Sequence, residues 1–153
     1  MFFSWANVEG HAADSGYPFD GESYEQTPGH ELESDITPEY DAALSMLGDG
    51  WYIPGTQDFR ELTDNCDYAM EEVTGVMCCV FTSRANGRKL VIPACGYFRD
   101  SLRAKDGELA CLWTSRYVSS SAAYYFRVSE SEPAGTNGQA RRDGLPIRAV
   151  RDP

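Results

Sequence analysis

The chain has 153 residues, of which 42% are hydrophobic and 12% aromatic, and a formal net charge of −11. That composition describes one folded globular domain with its own core and excludes intrinsic disorder. Acidity excludes a whole-protein nucleic-acid binder, which needs a basic footprint, and apolar runs such as Val76 to Phe81 fall far short of the ~20 residues of a membrane helix, so no membrane insertion is expected.

The charge is unevenly spread. Residues 1–83 hold 17 acidic side chains and a single base, Arg60, whereas residues 84–153 carry a net charge of +5. The arginines of the second half fall between its apolar segments, and if they cluster in space they make a locally basic face on an acidic protein.

The N-terminus, Met1-Phe2-Phe3-Ser4-Trp5-Ala6, has no basic stretch and no long apolar core, so it is no signal peptide. It reads as the first strand of a C-terminal domain cut from a longer protein. Residues 6–36 are polar and acidic, with turn pairs Ser15-Gly16 and Pro28-Gly29. Tyr17, Phe19 and Tyr24 mark this stretch as an ordered loop pinned to the domain. Its Asp14, Asp20, Glu22 and Glu25 are the carboxylates a calcium ion would take, but they lack EF-hand spacing. No cofactor is implied.

Thr37-Pro38-Glu39 predicts a helix start, with Tyr40, Ala43, Leu44 and Leu47 on its apolar face and Gly48 ending it. A second helix is predicted from Thr56, with Asp58 and Glu61 early and Phe59, Leu62 and Cys66 inward. Each helix is expected to make about three turns. Beyond residue 75 the pattern turns to strands: Val76 to Thr82, Lys89 to Ile92, Leu109 to Thr114, Ala122 to Val128 and Ile147 to Arg151. Asn86-Gly87 predicts a hairpin between the first two. The fold class is α+β.

The five cysteines, Cys66, Cys78, Cys79, Cys95 and Cys111, cannot all pair within one chain. They show no metal-ligand spacing, and buried free thiols are expected. His11 and His30 both lie in the acidic region, away from any nucleophile setting. No phosphate-binding glycine motif occurs.

Several segments together carry a resemblance. Phe2-Phe3-Ser4-Trp5-Ala6-Asn7-Val8-Glu9-Gly10-His11 looks like an FSWGNTEGH opening. Gly50-Trp51-Tyr52-Ile53-Pro54-Gly55-Thr56-Gln57-Asp58-Phe59-Arg60-Glu61-Leu62 looks like GWRxPTxxEFxEL. Pro93-Ala94-Cys95-Gly96-Tyr97 looks like PAAGY, Leu112-Trp113-Thr114-Ser115 like YWSS, and Ile147-Arg148-Ala149-Val150-Arg151 like the closing VRxV(R). In this order they resemble the Fibrobacter succinogenes major paralogous domain family of gut Bacteroidales and their phages. Tyr52 stands for the family's Arg and Gly55 for its Thr.

The resemblance implies a C-type-lectin-like fold of the formylglycine-generating-enzyme type, with two short helices, small antiparallel sheets and long loops. It also implies a non-catalytic module for a protein or glycan receptor on a cell surface, carried on a virion tail or bacterial surface. Members include variable proteins of diversity-generating retroelements, in which exposed positions between fixed motifs vary. Here those positions are Phe98, Arg99, Arg103, Glu108, Leu112, Arg116, Tyr117, Ser119, Tyr125, Arg127, Arg142 and Asp143, the candidate ligand-contacting residues. Tyr and Arg anchor interfaces well, and Ser adds adaptable contacts. By alternation, Tyr125 and Arg127 face outward while Tyr124, Phe126 and Val128 are structural. Exposed arginines favour an acidic protein or anionic glycan. The alternatives are a structural spacer of a surface or tail-fibre protein, and a formylglycine-generating-type enzyme. The sugar-and-calcium EPN signature of true C-type lectins is missing, since Glu132-Pro133-Ala134 lacks its Asn.

Overall fold

The computed structural model describes residues 1–12, 34–100 and 102–152. The pinned aromatics Tyr17, Phe19 and Tyr24, both turn pairs of the acidic loop, His30 and the candidate calcium carboxylates lie outside the described residues. The fold is α+β, as expected, with helices α1 (Ala42–Leu47) and α2 (Thr56–Asn65) and small antiparallel sheets.

The first helix is shorter than its sequence predicts. Pro38–Tyr40 make a single 3-10 turn, and Thr37 gives no side-chain cap. The helix proper starts one residue after Asp41, whose ψ of 108° breaks the helical path. Asp41 Oδ1 accepts from the N–H groups of Ala43 (2.8 Å) and Leu44 (3.2 Å), and Oδ2 from the N–H of Ile53 (3.0 Å). One buried carboxylate thus satisfies helix N–H groups and ties the helix to the chain beyond it. The break resets the helical phase: Ala42 and Ala43 are buried, and Leu47, expected inward, is 54% exposed. Gly48 ends the helix at φ +87°.

Helix α2 matches its prediction. Asp58 accepts from the Gly55 N–H at 2.7 Å, and Phe59 is buried against Phe126, ring centroids 4.4 Å apart and nearly parallel. Leu62 packs against the same core; Cys66 does too, but not from the helix as expected, since its backbone is already extended and it opens the following strand.

Strand β1 (Trp51–Tyr52) precedes α2 and pairs with the closing β10 (Val150–Arg151), so the predicted final strand shrinks to its last two residues. β2 (Cys66–Val73), β3 (Val76–Ser83) and β4 (Lys89–Pro93) form one sheet in that order. β2 is an addition to the predicted strands; Asp67, Glu71 and Glu72 lie on an exposed edge strand, and such charges are how edges are protected. The β3–β4 turn is closed by the Gly87 N–H to the Ser83 carbonyl at 2.8 Å, with Gly87 at φ +71°. β5 (Tyr97–Arg99) and β6 (Leu102–Ala104) form a small hairpin, and β7 (Leu109–Tyr117), β8 (Ala122–Ser129) and β9 (Gly135–Ala140) a third sheet with β8 central.

This last sheet is covered on both faces. Leu109, Cys111, Trp113, Ala123 and Tyr125 enter one core with Phe3, Trp5 and Leu145. Ala110, Leu112, Phe126 and Val128 enter the other with Phe59, Phe81 and Ile92. Side chains of this kind contribute roughly 1.5–3 kcal/mol each on burial, so the β7–β8 pair carries much of the folding load.

The N-terminal segment is laced into the first core. Phe3 pairs with Leu145, and the Trp5 N–H reaches the Arg141 carbonyl at 2.9 Å. Two indoles complete the stitch: Trp5 Nε1 donates to the Thr114 carbonyl at 2.8 Å, and Trp113 Nε1 to the Phe3 carbonyl at 2.7 Å. The Arg141 guanidinium, 1% exposed, lies 5.0 Å from the Trp5 ring and 5.8 Å from Tyr117.

Candidate functional site

Register places side chains of β8 and β9 on shared faces. Ala123 faces Gln139, Tyr125 faces Asn137 and Arg127 faces Gly135. On the other side Tyr125 pairs with Trp113 and Arg127 with Cys111. The alternation predicted for β8 is present, but it does not separate outside from inside. Tyr125, expected outward, is only 9% exposed, whereas Tyr124, expected structural, is half-buried. A strand covered on both faces has no solvent face for alternation to mark. Arg127 shares the phase of Tyr125 but sits at the strand end, where it reaches the turn and pairs with Glu132.

Other candidates are also corrected. Phe98 is buried, edge-on to Phe2 with centroids 4.8 Å apart. Leu112 lies in the second core and Tyr117 in the first, tilted against Trp5. Asp143 is 1% exposed. These side chains are needed for packing or hydrogen bonding and cannot be exposed contacts. Arg99, Arg103, Glu108 and Arg142 are exposed, and Arg116, Ser119 and Arg127 half-buried.

The arginines do not form a bare basic face. Arg99 pairs with Asp143 at 2.9 Å, Arg103 with Asp106 at 2.8 Å, Arg116 with Asp35 at 3.5 Å and Arg142 with Asp100 at 3.9 Å, and Arg127 binds Glu132. Apart from Asp35, these partners come from the net-positive half itself. Those acids are already counted in the +5, so the pairing occupies these arginines one by one and leaves the net excess of the half in place. The solvent-exposed pairs, such as Arg103–Asp106 and Arg142–Asp100, contribute only about 0–1 kcal/mol, so a ligand carboxylate can replace the internal one there at little cost; Arg99–Asp143, whose carboxylate is buried, is the exception.

Two concavities gather part of the candidate set. A cleft of about 570 Å³ is lined by Arg99, Ser121, Ala122, Gly138, Gln139, Ala140 and Arg142. The Ser119 hydroxyl shapes its wall by accepting from the N–H groups of Ser121 and Ala122. A cavity of about 530 Å³ is lined by Met70, Met77, Tyr97, Lys105, Gly107, Glu108, Leu109, Tyr125 and residues 129–132. The two adjoin through β5, where the Arg99 guanidinium lies 5.2 Å from the Tyr97 ring centroid. Arg103 and Arg116 line neither.

Sequence reasoning missed Tyr97, Ser121, Gln139 and Glu130. Tyr97 was absorbed into a motif, and Gln139 lies on Gly135–Ala140, whose Gly, Thr and Asn content carries no strand signal.

The phenol of Tyr125 is raised above its ordinary pKa by burial, and Arg99 is raised by its hydrogen bond to Asp143. Burial lifts the Cys79 thiol to about 12 and raises Cys111 and Cys95. A nucleophilic cysteine needs the opposite shift. All five cysteines are free thiols. Among the described residues no group of three or more His, Cys, Asp or Glu side chains is arranged to hold a metal ion, and no helix is long and apolar enough to cross a membrane.

In comparisons with protein-family models, curated proteins and solved structures, the chain finds no match in any of the three.

Proposed function

We propose that this domain is a non-catalytic ligand-binding module of the C-type-lectin-like kind, recognising a protein or glycan receptor on a cell surface. The observation that carries this reading is the division of labour around β8. The doubly covered β7–β8 pair holds the fold, while β5, β9 and the loops flanking β8 and β9 place Arg, Tyr, Gln and Ser side chains around two open concavities. Diverse side chains can be displayed where they carry little packing load. The raised thiol pKa values favour this reading over an enzyme that uses a reactive cysteine.

The resemblance to retroelement variable proteins enters here as part of the proposal. Diversity would be tolerated at Arg99, Gln139 and Arg142 on the cleft, and not at Phe98, Leu112, Tyr117 or Asp143, whose burial ties them to the fold. Coding DNA with a neighbouring reverse transcriptase and a template repeat differing at adenines would support it; their absence would remove diversification while leaving receptor binding standing.

The test is binding of the labelled domain to intact bacterial cells and to a glycan array. Arg142→Ala combined with Gln139→Ala should weaken binding at least about tenfold, the loss expected when anchoring contacts are removed, in a protein that still melts cooperatively, with only the small fall in midpoint that follows from losing the Gln139 hydrogen bond to Asp143. Full binding by the folded double variant would move the site away from this cleft. Absence of binding to any cell or glycan would favour the spacer reading.

A further inference from the structure

The cavity beside the cleft has a chemistry of its own. Its apolar wall is made by Met70 and Met77 from β2 and β3, Leu109 and Tyr125 from β7 and β8, and Tyr97 from β5. Its polar rim carries Glu108, Glu130 and Glu132 against Lys105. We propose that this cavity binds an organic ammonium group carried on a short apolar stem. This rests on the reading of the face as ligand-binding and names what the concavity beside the cleft takes.

Three observations converge on that chemistry. The first is size: about 530 Å³ lies within the range of small-molecule sites. It is large enough for a substituted ammonium head and several methylene groups.

The second is charge. The rim cation is engaged, since Lys105 Nζ binds Glu108 at 3.0 Å, and Arg127 from outside the lining holds Glu132. Glu130 is exposed and has no ion pair among the described residues. An entering anion would meet this carboxylate unfavourably, and a neutral ligand would leave it unused. A cation completes it.

The third is the wall itself. Tyrosine rings present a negative face to cations, and Tyr97 already attracts one, the Arg99 guanidinium. The Tyr125 phenol, like any tyrosine at neutral pH, is uncharged, so its ring enters the cavity as a neutral aromatic surface. Methionine thioethers are polarisable and adapt to an irregular stem.

The test is calorimetric and NMR titration of the purified domain with choline, n-butylamine and 3,3-dimethyl-1-butanol, the neutral isostere of choline. Saturable binding of either amine, at least about tenfold tighter than the neutral isostere, is the expected result. The preferred amine then tells whether the head group is methylated or primary. Glu130→Gln, an exposed substitution, should weaken amine binding by about fivefold to tenfold and leave the melt unchanged. Tyr97→Phe should retain binding, and Tyr97→Leu should lose it. Equal affinity for the neutral isostere, an unaffected Glu130→Gln variant, or no saturable binding of either amine would overturn the proposal. Receptor binding is measured separately through the Arg142 and Gln139 cleft, so failure of the amine titration with receptor binding intact removes this inference alone.

Discussion

Arg99 and Asp143 lie 44 residues apart in the chain and are joined by two hydrogen bonds to one oxygen, Nε at 3.2 Å and Nη2 at 2.9 Å from Oδ2. The pair spans the boundary between fold and surface: the Asp143 side chain is 1% exposed and that of Arg99 is 50% exposed. Gln139 Nε2 adds a bond of 2.5 Å to the same oxygen, while Oδ1 has no hydrogen-bond partner among the described residues. A buried carboxylate thus orders two side chains of the cleft, Arg99 and Gln139.

That arrangement predicts an asymmetric pair of variants. Arg99→Ala leaves the carboxylate to Gln139 alone and should cost about 1–2 kcal/mol, less than for a fully buried pair because water reaches the arginine side. Asp143→Ala removes the acceptor of both cleft side chains and opens a void, and should cost about 2–4 kcal/mol. Urea unfolding of both variants measures the difference; equal losses would contradict the burial asymmetry.

Gly96 and Gly107 predict a second contrast. Both have positive φ, +60° and +75°. A Cβ on Gly96 would come 2.0 Å from the Ala104 carbonyl oxygen, a backbone atom, whereas one on Gly107 meets nothing within 4 Å. Gly107→Ala should therefore cost only the left-handed backbone strain, about 1–2 kcal/mol. Gly96→Ala adds a steric clash and should exceed about 4 kcal/mol or prevent folding. Thermal melts of the two proteins decide it.

The buried thiols predict a pH dependence with a definite sign. Cys79 titrates near 9 when unfolded and near 12 when folded, and Cys111 is likewise raised by burial. The folded state then binds more protons than the unfolded state above about pH 9, so stability falls with rising pH, by up to ~1.4 kcal/mol per pH unit per thiol. Below about pH 8 these thiols contribute no slope. Denaturant midpoints from pH 7 to 11 should follow this course, and Cys79→Ala should have a shallower alkaline limb despite its lower stability. At pH 8 a thiol reagent should modify half-buried Cys66 first and reach Cys79 and Cys111 only after unfolding.

Much of the local structure was legible in the sequence. Helix α2, the Asn86-Gly87 hairpin, and strands β3, β4, β7 and β8 depend on neighbouring residues, through periodicity and turn chemistry. The Asp41 cap was hidden behind a more conventional Thr-Pro signal, because its three N–H partners include Ile53, beyond the helix. β9 was silent because its polar, glycine-containing residues are held in place by pairing with β8 rather than by their own propensity.

By itself the sequence determined the α+β class, the short-range elements and the uneven charge along the chain, all properties of residues close in sequence. Only the tertiary structure decided which strand faces are covered and which carboxylate each arginine meets. Alternation along β8 assigns its side chains to two opposite faces, but a second core on the far side removes the solvent face, and Tyr125 becomes wall rather than display. Charge counting along residues 84–153 finds an excess of arginine, but Coulomb pairing acts through space. Asp143, Asp106, Asp35, Glu132 and Asp100 stand beside those arginines, and the surface that emerges is polar and internally paired, with an acidic-rimmed cavity at its edge.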